Sequence, residues 1–245
     1  MIKLMDILLE GVNDPGIFKA VFLAGGPGSG KTFVVKQLFG IPDRLNISAS
    51  GMKMVNSDKE LKFLLKKFGF GTDLDKMPDE VFKDLTGKGG SGLRDYGKEL
   101  TAQRMKLYKQ GKLGMIIDGT GHDYGKLAKM KRELEADGYD SYMIFVNTSL
   151  EVAQKRNQER DRILPPKLLK KSWEDVQKNL GRFQNLFKQN FLIVDNSKTL
   201  GAKQAQNKFN MLVKKGVDKF IKKPIKNPIA KQWIEKQKIL KKQGA

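Results

Sequence analysis

The chain has 245 residues, 39% hydrophobic and 30% charged, a composition that supports one large or two small globular domains with a real core. Lys and Arg exceed Asp and Glu by 20. An excess of that size has two readings: acidic partners such as nucleic acid, nucleotides or a membrane surface, or solubility with a basic tail. There is no cysteine and one histidine, which excludes disulfides, thiolate metal sites, a cysteine nucleophile and a histidine-rich metal site.

In chain order, Ile2, Met5, Leu8 and Leu9 mark a short amphipathic helix, closed by Gly11 and the Asn13-Asp14-Pro15-Gly16 cluster. This opening is too short and too acidic (Asp6, Glu10) for a secretory signal, and no apolar stretch reaches membrane-spanning length, so the expectation is a cytoplasmic protein without a membrane partner. Ala20 to Ala24 reads as a buried strand. It runs into Gly25-Gly26-Pro27-Gly28-Ser29-Gly30-Lys31-Thr32, which satisfies G-x-x-x-x-G-K-[ST], the phosphate-binding loop, and a helical pattern follows. Glycines let successive N–H groups point into one concavity that suits an anion, and the next helix adds its positive end. Lys31 would reach the β- and γ-phosphates and Thr32 would hold Mg²⁺ through its hydroxyl. A nucleoside triphosphate is therefore the expected ligand.

Lys53 to Asn56 predicts a short strand, with Asp58 at the head of a helix. Asp58 has two readings of equal weight, a helix N-cap or a carboxylate at a strand end where open α/β sheets place ligands. Residues 69–92 are Gly-rich and read as a mobile insertion or a disordered segment. A helix over Leu93 to Gln110 carries Arg94, Tyr96 and Arg104 on or beside it. Leu113 to Asp118 is a second buried strand ending in a carboxylate, the general place of a Mg²⁺-organising group. The loop Gly119-Thr120-Gly121-His122-Asp123 follows, then a helix from Tyr124 to Ala136 and a strand over Tyr142 to Val146. Leu150 to Asp161 is helical and charged, with Arg156, Arg160 and Arg162 close together. After Pro165-Pro166 a long helix, about Leu168 to Lys188, leads to a last strand, Phe191 to Asp195. Strands alternating with helices predict a five-stranded, mainly parallel sheet covered on both faces, an α/β fold of three layers. The expected division is a domain over 1–198, with a lid at about 150–170, and a basic helical extension over 199–245. From Lys214 to the end, eleven Lys face only Asp218 and Glu235. This tail reads either as a grip on nucleic acid or as a docked helix with a solvated lysine face.

Residues 113–146, with their strand, acidic-Gly-Thr-Gly loop, helix, Gly138-Tyr139 and second strand, resemble the core of the zeta toxin family of phosphate-loop kinases. The same order of parts holds from Ala20 to about Lys198. The resemblance implies a P-loop NTPase fold and a kinase that moves the γ-phosphate of ATP or GTP to a hydroxyl of a small molecule or nucleotide. It implies Asp58 as general base, Asp118 on substrate or metal, Thr120 lining the site, and Arg156 and Arg160, less directly Arg162, as lid arginines over the phosphates. Asn196 would lie near the nucleotide base, and Arg94 joins Asp118, Thr120 and His122 on the substrate side. Family members often carry Arg where this chain has His122, which either holds a substrate phosphate or is a surface histidine. A toxin further implies an antitoxin-like inhibitor. The lysine-rich, cysteine-free style is similar to proteins of large tailed bacteriophages, which would place the chain in a host cytoplasm. Two other functions fit the same motifs: a polynucleotide 5′-kinase or other nucleic-acid-associated NTPase, and a nucleotide-binding assembly protein without transfer activity.

Overall fold

The computed structural model describes residues 12–41, 47–48, 50–70, 78–86, 92–159, 163–197, 202–212 and 216–243. The helix expected at residues 1–10 lies outside them, as does most of the Gly87–Gly92 run.

The apolar run before the phosphate loop forms β1 (Lys19–Ala24), every residue of which is buried. Continuous burial means neighbours on both edges and layers on both faces, and β1 lies at the centre of a five-stranded sheet. The remaining strands are β2 (Lys53–Val55), β3 (Met115–Asp118), β4 (Asp140–Asn147) and β5 (Phe191–Asp195), in the order β2-β3-β1-β4-β5. All four pairings are parallel. Register sets Leu23 beside Asp118, Ala24 beside Phe145 and Asn147 beside Asp195, so the loops after every strand open at one edge.

Alternate residues of the strands feed two cores. Val21, Leu23, Ile116, Ile144 and Val146 meet Val34, Val35, Leu38 and Phe39 of α1 (Lys31–Phe39). On the other face Ala20, Phe22, Met115, Met143 and Phe145 meet Leu127 and Leu134 of α5 (Tyr124–Ala136) and Val176, Phe183 and Phe187 of α7 (Pro166–Phe187). The helix after β1 thus leaves on one face and those after β3 and β4 on the other. That divergence opens a crevice at the carboxyl ends of the strands, beside β1.

Between β2 and β3 the chain builds α2 (Ser57–Lys67), α3 (Asp79–Thr86) and α4 (Leu93–Gln110). Leu61, Leu64, Leu65, Leu85 and Leu93 make a third core there. The sequence reads 69–92 as a mobile insertion or a disordered segment; α3 forms inside it because Val81 and Leu85, one turn apart, have this cluster to pack against. The connection from α6 (Leu150–Gln158) to α7 comes back at Leu164, which packs on the same cluster.

The C-terminal segment forms α8 (Ala202–Leu212), α9 (Asp218–Lys222) and α10 (Pro228–Lys242). Lys208 of α8 donates to the Asp195 carbonyl at the end of β5, whereas α9 and α10 are bound to the opposite edge of the sheet, where the strands begin. Lys19, buried at the foot of β1, donates to the carbonyls of Phe220 (2.9 Å), Lys223 (2.8 Å) and Ile221. Asp140, at the foot of β4, accepts from the amides of Lys226 (2.8 Å) and Asn227 (3.2 Å). Trp233 of α10 meets Phe18 edge-on, with centroids 5.4 Å apart. Among the described residues no helix is long and apolar enough to cross a membrane.

Candidate functional site

The phosphate loop runs directly from β1 into α1. Its first amide, Gly25 N–H, donates to the Thr120 carbonyl at 3.0 Å, tying the loop to the one after β3. Gly28 and Gly30 stand at positive φ (77° and 78°). A Cβ on Gly28 would lie 2.2 Å from the Ala153 carbonyl oxygen, and one on Gly30 2.6 Å from Asn196 Nδ2, so neither position tolerates a side chain. Gly30 provides no side-chain cap and the first turn of α1 holds no acidic residue, which leaves its leading amides to an anion. Ser29 is 1% exposed, and its Oγ has no hydrogen-bond partner among the described residues. A Cβ on Gly25 would sit 2.8 Å from that oxygen, so the hydroxyl is directed along the inside of the loop. An uncapped helix start and an orphaned buried hydroxyl fit a phosphate chain. Lys31 is half-buried and Thr32 exposed at the mouth.

On the β2 and β3 side, Asn56 is the residue that sequence reasoning missed. Its Oδ1 accepts the Asp58 N–H at 2.8 Å, which makes Asn56 the N-cap of α2. Its Nδ2 donates to Asp118 Oδ2 at 2.7 Å. The cap reading of Asp58 therefore fails: Asp58 is an exposed residue of the first helical turn, held one link away from Asp118. An Asn at a strand-to-helix junction is itself a cap signal, and it stood two residues before the Asp that drew attention. Below this pair, buried Glu60 of α2 forms an ion pair with Arg104 of α4. Thr120 is half-buried and hydrogen-bonded through Oγ1 to Nδ1 of the exposed His122. Asn179 of α7, also unforeseen, donates to the carbonyls of Gly121 (3.1 Å) and His122 (2.8 Å) and so fixes this loop from behind.

The third wall comes from β4, β5, α6 and α7. Asn196 donates through Nδ2 to the Ser29 carbonyl (2.8 Å), while its own carbonyl accepts from Arg156 Nη1 (2.9 Å). Trp173 lies against Gly26 and donates Nε1–H to the Thr148 carbonyl at 2.9 Å. It sits on the buried stripe Leu169, Val176, Phe183 of α7, a spacing that could have flagged it. Buried Asn157 accepts from Leu164 N–H (3.2 Å) and donates to its carbonyl (2.8 Å), closing the base of the expected lid. Arg160 and Arg162 lie outside the described residues. Arg94 is exposed on the first turn of α4. Of the residues named from sequence, the structure joins the loop, Thr120, Arg156 and Asn196 into one bonded set, and Asp58 and Asp118 into another through Asn56. Among the described residues no group of three His, Cys, Asp or Glu forms a ready-made metal centre.

The family described as an AAA domain, a P-loop NTPase domain, matches residues 21–182. None of the curated proteins matches the chain. Solved structures similar to it include the PezAT chromosomal toxin–antitoxin system of Streptococcus pneumoniae, at 13% identity and a TM-score of 0.49 over 89% of this chain and 93% of that one. A gluconokinase from Sinorhizobium meliloti is similar at 14% identity and a TM-score of 0.43 over 81% and 95%. Shikimate kinase from Acinetobacter baumannii, in complex with shikimate, is similar at 15% and 0.42 over 84% and 98%. The family match runs from within β1 well into α7 and takes in the loops after β1, β2, β3 and β4, while β5 and Asn196 lie beyond it; the chain belongs to the AAA domain family.

Proposed function

We propose that the chain is a kinase that transfers the γ-phosphate of a nucleoside triphosphate to a hydroxyl acceptor. The observation that carries this reading is the bridge through Asn56, which keeps the two carboxylates Asp58 and Asp118 on the strand-end side where β1 opens into the phosphate loop. An enzyme that only bound or hydrolysed nucleotide would have no need of an acceptor-side carboxylate on a separate helix.

When bound, a triphosphate with its Mg²⁺ supplies the activated phosphoryl group. The loop amides, the start of α1, the Ser29 hydroxyl and Lys31 hold and neutralise the phosphate oxygens. Thr32 and Asp118 are the residues that would hold the metal, in company with phosphate oxygens and water. Asp58 orients the acceptor hydroxyl and takes its proton as general base. Arg156 supplies positive charge beside Gly30 at the end of the loop; a lid arginine of this sort is worth a factor of roughly 10³ to 10⁵ in rate. Asn196 lines the base side. Thr120, His122 and Arg94 are proposed for the acceptor side, and zeta-toxin-like small molecules or nucleotides are its candidate occupants.

Incubation with γ-labelled ATP or GTP and a cell extract tests the reading. Lys31→Ala is expected to abolish labelling. Asp58→Ala is expected to keep nucleotide affinity within about twofold and to lose labelling by at least a hundredfold. Wild-type labelling by Asp58→Ala would remove Asp58 from the base role, and an unlabelled extract with the wild-type chain would remove the kinase reading.

A further inference from the structure

The outer face of α2 is unlike the rest of the surface. Lys59, Lys62, Phe63 and Lys66 stand at i, i+3, i+4 and i+7, which puts them on one stripe of the helix. The opposite stripe, Glu60, Leu61, Leu64 and Leu65, is buried. Of the acidic residues of α2, Glu60 is turned inward to Arg104 and Asp58 stands at the head of the stripe, one turn before Lys62. Phe63 is 60% exposed, and where the helix ends Phe68 (55%) and Phe70 (39%) are exposed as well. The Lys67 ammonium sits over the Phe68 ring, 5.9 Å from its centroid. Single exposed apolar residues are ordinary, but three exposed phenylalanines within eight residues, with Lys66 and Lys67 among them, are not.

Cations that track a backbone, set among rings that stack on bases, are the parts of a single-strand nucleic-acid surface. An acidic peptide would use the lysines but not three bare rings. The lysine-rich α10 differs in both respects. Its Trp233 is turned inward onto Phe18, its exposed apolar residues are aliphatic (Ile229, Ile239, Leu240), and its docked end is bound where the strands begin. Base stacking has nothing to use there, and a strand held there would be directed away from the phosphate loop. The α2 stripe instead begins at the candidate base Asp58.

We propose that the outer face of α2 binds single-stranded polynucleotide and delivers its 5′-hydroxyl, the primary and least hindered terminal hydroxyl of a strand, to Asp58. This rests on the kinase reading above and names its acceptor. Asp58 takes the proton of that hydroxyl as its oxygen bonds to the γ-phosphorus. The bond from that phosphorus to the β–γ bridging oxygen breaks, and a nucleoside diphosphate leaves beside a 5′-phosphorylated strand.

The test is anisotropy with a 3′-fluorescein-labelled oligothymidylate of about 12 nucleotides, within the range of single-strand site sizes, measured without nucleotide across a salt series. Lys62→Glu/Lys66→Glu is expected to weaken binding at least tenfold and to flatten the log–log salt slope by about 1.4, two phosphate contacts at about 0.7 each. Phe63→Ala is expected to weaken it about tenfold with the slope unchanged. Lys236→Glu/Lys241→Glu on α10 is expected to change it less than twofold. These α2 positions lie on the outer stripe, and thermal midpoints within a few degrees of wild type verify that the variants fold. Wild-type binding by both α2 variants, or loss confined to the α10 variant, overturns the assignment. So does a strand bound on α2 that takes no label from γ-labelled ATP at its 5′-hydroxyl. A chain that labels other acceptors in an extract but neither binds nor labels the oligonucleotide overturns this inference alone. A chain that labels nothing overturns the kinase reading beneath it.

Discussion

A single amide, that of Asn56, connects the two carboxylates of the candidate site, and its chemistry fixes which atom does what. Its oxygen must accept from the Asp58 amide, so its NH₂ faces Asp118. Asp is as good an N-cap as Asn but has no donor to offer. Asn56→Asp is therefore expected to leave the α2 cap in place while setting a second carboxylate against Asp118. Stability should fall by about 1–3 kcal/mol in denaturant unfolding, the usual cost of losing a hydrogen bond to a charged group. Asn56→Ser, which caps but cannot reach Asp118, should lose less. Lys19 sets a second problem at this scale. Burial pushes its ammonium down from 10.5 to about 8, against the pull of Asp140 and Asp14. Below about pH 8 the lysine is charged whether the chain is folded or not, and the cost of burying the charge is met in full. Between about 8 and 10.5 the folded chain gives up the proton first, so this group's contribution to stability rises with pH. Relative to Lys19→Met, the wild-type chain should gain up to about 3 kcal/mol across that window, read from unfolding curves at fixed pH.

At the scale of elements, the loops after β1, β3 and β4 are held by side chains from other elements as well as by their own turns. Asn196 bonds to the phosphate loop, Asn179 to the loop after β3, and Trp173 of α7 to the carbonyl after β4. Nucleotide in the loop should therefore register on α7. The chain has two tryptophans, and the other, Trp233, meets Phe18 edge-on at the far edge. A titration with ATP should change the intrinsic fluorescence of the wild-type chain and of Trp233→Phe, and leave Trp173→Phe silent. A response carried by Trp233 would mean that the phosphate loop and α7 are not coupled as their contacts indicate. Residues 69–92 show the converse, a segment whose sequence looks irregular but in which α3 exists because α2 and α4 give it a surface to cover.

For the whole molecule, the C-terminal basic region is part of the body of the fold. Helices α9 and α10 complete both cores and close the sheet where the strands begin; Phe220 and Ile221 join one core, Ala230 and Trp233 the other. They stand a strand length, about 20 Å, from the phosphate loop. Trp233→Ala is expected to cost about 2–4 kcal/mol in chemical unfolding, because it strips the half-buried ring from Phe18. It should leave nucleotide affinity by fluorescence titration within about twofold. A large loss of affinity with normal stability would contradict the separation of the two edges.

The phosphate loop and the five strands could be read from the chain because both are local: glycine spacing with GKT, and runs of apolar residues long enough for a strand. Parallel pairing followed from the alternation of strand and helix. The sequence could also offer Asp58 and Asp118, since each ends a strand or begins a helix, but nothing local says that Asn56 bonds to both ends of that pair. Asn179 and Trp173 were hidden for the same reason, being polar groups on one long helix whose partners lie about 25 to 60 positions away. The lysine tail left two readings open, a grip on nucleic acid or a docked helix, and its place beside Lys19 and Asp140 is set only when the sheet brings its strand starts together. Local pattern determines which backbone forms; which side chains meet is decided by pairings between residues far apart in the chain, and those exist only once the sheet has closed its loops onto one edge.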